Sequence, residues 1–154
     1  NPGDLYFVPT GIAKGYGAGE ILLTGHKFGM FKVVESGGSF SPMSQQQIIG
    51  ELPNVRYTGI LRHTLNNYLY VNNGRKIIRV DSTYTNDGDS DKISRTTSLL
   101  AQALNGDIFI YDNDNLKIVR YSEKLNYIND TYIDVNDLIA GDAYDIAGIV
   151  EVNT

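Results

Sequence analysis

Three stretches of the chain align with one another without a gap: GIAKGYGAGEILLTG (Gly11 to Gly25), GILRHTLNNYLYVNN (Gly59 to Asn73) and SLLAQALNGDIFIYD (Ser98 to Asp112). Each begins with an apolar pair: Ile12 and Ala13, Ile60 and Leu61, or Leu99 and Leu100. Each then reaches a turn residue at one shared position, Gly19, Asn67 or Gly106. An apolar triplet follows: Ile21, Leu22, Leu23; Leu69, Tyr70, Val71; Ile108, Phe109, Ile110. Beyond a polar turn comes a second apolar arm with a cation inside it: Phe31, Lys32, Val33; Ile78, Arg79, Val80; Val119, Arg120, Tyr121. Such a repeat makes each copy one supersecondary unit that needs its neighbours to bury its apolar face.

Short β-branched and aromatic runs bounded by Gly, Asn and Asp are strands joined by tight turns. The expected fold class is therefore all-β, with successive four-stranded blades: strands a, b and c, and a weaker outer strand d in GGSF, STYTN and LNYIN. With PTGIA…GEILLTG and NGDIFIYDNDNLKIVRY as its clearest parts, the pattern over about residues 9–130 resembles the NHL repeat and its six-bladed relatives. The resemblance implies a β-propeller. A β-sandwich or a short β-solenoid is the competing reading, and the gapless alignment argues against it. Propellers close with about four to eight blades. Three copies, with or without a degenerate fourth, therefore imply part of a longer ring, or a ring completed by partner chains or copies of this one.

The 154 residues, 42% of them hydrophobic, suit one domain with a core. We read 1–154 as a single propeller-like domain or fragment, with units at about 9–57, 58–97 and 98–135 and a C-terminal segment at 136–154. That segment, NDLIAGDAYDIAGIVEV from Asn136 to Val152, reads either as a degenerate fourth unit or as a helix capped at Asn136. Two connections exceed a blade-to-blade turn. Ser41 to Tyr57 is read as holding a short helical turn from Ser44 to Pro53, and Thr83 to Thr97 as a solvated loop. No window approaches the roughly eighteen apolar residues of a membrane span, and the first residues lack the basic start and apolar run of a signal peptide. The leading residue is Asn, which reads as a processed product or a fragment.

Zero cysteines exclude disulfides, thiolate metal sites and cysteine nucleophiles. A formal net charge of -5 and a pI near 4.9 oppose general binding to phosphate backbones. In DGDSD, Asp87, Asp89 and Asp91 stand at alternate positions, a spacing with which a curled loop can offer hard oxygens to Ca²⁺. Against an EF-hand loop half the set is missing, because Lys92 stands where Gly is expected and Ser98 where a bidentate Glu is expected. A solvated loop is the favoured reading. Asp112, Asn113, Asp114 and Asn115 raise the same question, but they fall where the other copies read TGHKFG and NNGRK, so a turn is expected.

His26 and His63 occupy different places in their units and belong to no metal or catalytic spacing. GYGAGE lies between two strands with no helix to follow, which makes it a turn and not a phosphate loop. Lys32, Arg79 and Arg120 share one position and so one face of successive blades. They form either an array for an acidic partner or anionic glycan, or long cations whose stems cover apolar surface. Tyr is abundant and Trp absent, which suits blade packing better than a carbohydrate platform.

No catalytic constellation rises from these residues, and a fold alone does not set an activity. The expectation is a non-enzymatic structural and binding module, without a cofactor apart from the candidate calcium, making protein contacts within a larger assembly. A phage tail, another virion component or a bacterial surface protein would fit, which favours a virion or extracellular location over the cytoplasm. The alternative is a propeller hydrolase or lyase acting on peptides or glycans, which needs carboxylates or histidines converging from the bc and da turns. A second alternative, an NHL-type nucleic-acid platform using Lys27, Arg75, Lys76 and Lys117, is opposed by the net charge.

Overall fold

In the computed structural model, residues 7–91, 96–138 and 148–153 are described. Each apolar triplet forms the second strand of a four-stranded antiparallel path. The first sheet orders β1 (Pro9–Lys14), β2 (Glu20–Gly25), β3 (Met30–Ser36) and β4 (Ser39–Phe40), with β5 (Ser44–Gln46) also paired to β3. The second orders β6 (Gly59–Arg62), β7 (Leu69–Asn72), β8 (Ile77–Val80) and β9 (Asn86–Asp89). The third orders β10 (Thr96–Gln102), β11 (Ile108–Asp112), β12 (Lys117–Tyr121) and β13 (Tyr127–Asp134), followed by the one-turn helix α1 (Val135–Leu138). The first strands of the sheets lie side by side, β1 against β6 and β6 against β10, so the three units stand as successive blades. The all-β expectation holds.

The shared turn position has a physical basis. Gly19, Asn67 and Gly106 all take a left-handed backbone, with φ of 72°, 66° and 96°. Only Gly, and next Asn or Asp, enters that region without a steric penalty, which is why the alignment shows those two residue types there. At Gly19 a Cβ would also stand 2.2 Å from the carbonyl oxygen of Glu35.

Strand alternation then sorts the triplets into two faces. Leu69, Val71, Ile78 and Val80 turn back to the first blade, where they meet Leu22, Met30, Ile48 and Tyr57 in one cluster. Tyr70 and Ile77 turn forward, against Ile108, Ile110, Val119, Tyr121 and Leu125 of the third blade. Phe109, Tyr111 and Ile118 form the forward face of the third blade, and Ile133, Val135 and Ile149 pack on it. The flank expected to need a fourth blade is thus packed on from within the chain, by Ile133 and Val135 at the end of the third unit and by Ile149 of the C-terminal segment. No fourth sheet forms among the described residues, the helix is confined to α1, and residues 139–147 of the expected unit lie outside them.

Three local expectations are corrected. The second blade's outer strand is Asn86–Asp89, not STYTN, because Asp81 Oδ1 accepts hydrogen bonds from the amides of Thr83 and Thr85 and turns the chain there. The stretch from Thr83 to Thr97 is accordingly not a solvated loop: it holds β9 and the start of β10. Ser41 to Tyr57 contains a strand and no helical turn; β5 extends the first sheet, and Ile48 and Tyr57, 2% and 3% exposed, fill the seam with the second blade. Ile49 also exchanges hydrogen bonds with the second blade, its amide to Tyr84 O and its carbonyl to the Asn86 amide, both at 2.8 Å.

Candidate functional site

The seam between the second and third blades opens into a cleft of about 280 Å³. One wall comes from the connection between the blades. Ser90 closes β9 onto β8, its amide donating to Ile77 O at 2.9 Å and its Oγ accepting from the Ile77 amide at 2.8 Å. That clamp delivers the next residue, the exposed Asp91, to the rim of the cleft. The other wall is the bc turn of the third blade, with Asp112 and Asn115, and the face of β12 that carries Lys117, Val119 and Tyr121. Tyr127, opposite Tyr121 on β13, lines the outer side.

Asp112 is the Asp of the DNDN knot, and its first task is the turn. Its Oδ1 accepts from the amides of Asp114 and Asn115 at 3.1 and 3.2 Å, and its Oδ2 from Asn115 Nδ2 at 2.7 Å. This is the Asx pattern that lets a short polar side chain replace backbone pairing in a tight turn. With 6% exposure the carboxylate is nonetheless buried beside the cleft. Below it stands Tyr121, 2% exposed. Burial raises the pKa of its phenol above the ordinary value, and the negative charges of Asp91 and Asp112 add to the rise. The phenol therefore stays a neutral O–H donor beside two carboxylates and the Lys117 ammonium. A carboxylate, a neutral hydroxyl and a cation around one cleft are the parts needed to take a proton from one atom and stabilise charge on another.

The other candidate residues go elsewhere. Asp87 pairs with Arg79 at 3.1 Å and Asp89 with Lys76 at 2.7 Å, while Asp91 faces the cleft, so the alternate carboxylates of DGDSD do not converge. Lys92 lies outside the described residues. Among the described residues no three His, Asp or Glu side chains are grouped to hold a metal ion.

Lys32, Arg79 and Arg120 do share one register, opposite Leu22, Tyr70 and Phe109. Arg79 also lies over the Tyr68 ring at 4.5 Å. Arg120 pairs with Asp107 at 2.7 Å and lies over Phe109 and Tyr132 at 5.3 and 4.9 Å. His26 Nδ1 accepts from the Val8 amide, and His63 is buried at 2% exposure in the seam between the second and third blades.

Sequence reasoning missed the pairing of Asp91 with Asp112. In sequence Asp91 groups with its neighbours in DGDSD and Asp112 with its turn; only the folded chain brings them to one cleft.

No protein-family model and no curated protein matches the chain. Solved structures do. Virginiamycin B lyase from Staphylococcus aureus superposes with a TM-score of 0.60 over 84% of this chain at 13% identity. The fold is that of β-propeller blades. A catalytically inactive form of the same lyase with quinupristin gives a TM-score of 0.48 at 15% identity, over 81% of this chain and 56% of that one. This chain spans 43% of the length of the first structure, less than half. The propeller reading stands, without anything specific to the NHL repeat. The expectation of a non-enzymatic structural module is corrected, because the propeller that the chain matches is an enzyme. A phage-tail or virion role finds no support in these matches.

Proposed function

We propose that the chain is a segment of a propeller lyase or hydrolase acting on peptides or glycans, with the cleft between the second and third blades as its acid–base site. The observation that carries this reading is the convergence of Asp91, from the connection between blades, and Asp112, from a bc turn, around the buried Tyr121. Asp112 is occupied by its turn, so Asp91 is the carboxylate free to take a proton, with the Tyr121 hydroxyl or the Lys117 ammonium facing the group that departs. The likeness in fold to virginiamycin B lyase supports elimination over hydrolysis. A cleft of about 280 Å³ suits one side chain or one sugar ring of a longer substrate. We keep the NHL-like order of parts as a proposal about the repeat, supported by the common turn and cation positions.

The test is incubation of the chain with virginiamycin B, other cyclic peptides and uronate-containing glycans. Elimination leaves a new carbon–carbon double bond, seen by its ultraviolet absorbance, whereas hydrolysis leaves none. Product formation that Asp91→Asn reduces by about 10²-fold or more supports the assignment. No product from any of the substrates, or full activity in Asp91→Asn, overturns it.

A further inference from the structure

The ab turns of the first two blades and the cd turn of the second enclose another cleft, of about 210 Å³. In an antiparallel meander these turns stand at the opposite end of the strands from the bc turns and the connections between blades, so this cleft and the acid–base cleft open on opposite faces. Two tyrosines, one from each ab turn, wall it. Tyr16 donates its hydroxyl to Val80 O at 2.8 Å, and its ring lies 3.9 Å from the Arg62 guanidinium. Tyr68 is held by a hydrogen bond between its hydroxyl and Asp87 and by the Arg79 guanidinium at 4.5 Å. Both hydroxyls are thus engaged and neither guanidinium lines the cleft, so the tyrosines present ring surface to it. Uncommitted polar atoms stand beside the rings. Asn67 Oδ1 accepts from Arg62 Nη2 at 2.7 Å, but Asn67 Nδ2 donates to none of the described residues. Asp81 commits Oδ1 to Thr83 and Thr85, whereas its Oδ2 accepts from none of them. The bonds to Oδ1, that from the Thr83 hydroxyl first, hold the carboxyl below its ordinary value and keep it an acceptor.

We infer that this second cleft is a binding site for a neutral pyranose ring. Such a sugar has a face of C–H groups to lay on an aromatic ring, and hydroxyls around its edge that donate and accept at once. An amide donor and a carboxylate acceptor beside two fixed tyrosine rings match both halves. Trp is absent from the chain, and two tyrosines braced by guanidiniums take its place here. A charged ligand fits less well, because the Asp81 carboxylate opposes an anion while Arg62 and Arg79, behind the rings, oppose a cation. The volume falls below the roughly 300–1,000 Å³ of a pocket that encloses a drug-sized ligand, so the cleft takes one ring. The site is independent of the acid–base reading, since it shares no lining residue with that cleft.

Titration of the full chain with glucose, galactose, mannose and N-acetylglucosamine, followed by nuclear magnetic resonance, tests it. At least one of the four should give saturable shifts of the Asn67 side-chain amide and of the Tyr16 and Tyr68 rings. Sorbitol, with hydroxyls but no ring face, should not. Asn67→Asp keeps the acceptor that Arg62 uses and removes the free donors, and Asp81→Asn keeps the oxygen that caps the turn and replaces the free acceptor with a donor. Each should weaken binding by about ten-fold or more, with an unchanged far-ultraviolet circular dichroism spectrum. The comparison with sorbitol uses the unaltered chain and keeps the test decisive if a variant fails to fold. No saturable shift with any of the four sugars, equal shifts with sorbitol, or undiminished binding in either variant overturns the inference.

Discussion

His63 Nε2 lies 2.7 Å from the carbonyl oxygen of Gly106, a buried contact that ties the second blade to the third. The opposite ring nitrogen, Nδ1, accepts from the amides of Leu65 and Asn66 at 3.2 Å, which assigns the proton to Nε2 and makes Gly106 its acceptor. One imidazole thus fixes the first turn of its own blade and the first turn of the next. His63→Ala strands two amides and a carbonyl at the seam and leaves a cavity, so it should cost about 2–4 kcal/mol in urea unfolding. A loss below the error of the extrapolation would show that the seam does not depend on this residue.

The left-handed turns make a sharper forecast. Gly19→Ala would force a Cβ onto a φ of 72° and to 2.2 Å from Glu35 O, so the β2–β3 end must move. We expect a destabilisation of about 2 kcal/mol or more. Asn67→Gly, at the equivalent turn with φ of 66°, relieves backbone strain but loses the bond that Asn67 Oδ1 accepts from Arg62 Nη2 at 2.7 Å. It should therefore change stability by less than about 1 kcal/mol. Equal losses in the two variants would contradict the steric account.

These turns also explain how far the sequence could be read. A left-handed position writes itself into the chain as Gly or Asn, and a buried strand as an apolar run, so strands a to c of each blade were legible. The outer strand of the second blade was not, because Asn86–Asp89 is polar on both faces and is held by neighbours and not by burial. For that reason the same stretch reads in sequence as a solvated loop, with calcium as its lesser alternative. The forward face of the third blade was unreadable in a different way: besides Ile133 and Val135, it packs against Ile149, remote in sequence and outside the repeat. The cleft was least legible, since Asp91 and Asp112 belong to different blades and carry no spacing rule.

The three cations at one register should not be equivalent. The Arg120 and Asp107 side chains are both 16% exposed, and the guanidinium also lies near the Phe109 and Tyr132 rings, which stack on each other. Arg120→Ala leaves the Asp107 carboxylate half-buried without its partner and should cost about 2–3 kcal/mol. Lys32 has no carboxylate partner among the described residues, and Lys32→Ala should change stability by less than about 0.5 kcal/mol. Thermal melts of the two variants check the contrast, which vanishes if the cations serve only as surface charge.

Alkaline pH should loosen the seam between the first two blades. Tyr84 donates to Glu20 Oε1 at 2.7 Å and accepts from the Tyr16 amide at 3.0 Å. Burial, and then the hydrogen bond to Glu20, push its phenol from the ordinary 10.0 up to about 12. The folded state then keeps a proton that the unfolded chain gives up, so this contribution is fully present below pH 10 and is lost as pH rises toward 12. Denaturant unfolding across that window should show stability falling with pH, and Tyr84→Phe should flatten the fall. An identical slope in the variant would assign the effect to other tyrosines.

The electrostatics of the cleft give a test that needs no substrate. Tyr121 owes the rise of its phenol first to burial and then to the negative charges of Asp91 and Asp112. Asp112→Asn keeps the oxygen that caps the turn, because an amide oxygen can accept from Asp114 and Asn115 as the carboxylate does, yet it removes the charge. Asp91→Asn removes the other charge from an exposed position with little structural consequence. Each change should therefore lower the titration midpoint of Tyr121, read by nuclear magnetic resonance of ring-labelled tyrosine, and the double change should lower it furthest. Burial is untouched, so the midpoint should remain above that of an exposed tyrosine. If neither substitution moves it, the carboxylates do not face the Tyr121 hydroxyl, and the acid–base assignment of the cleft loses its basis whatever the chain proves to act on.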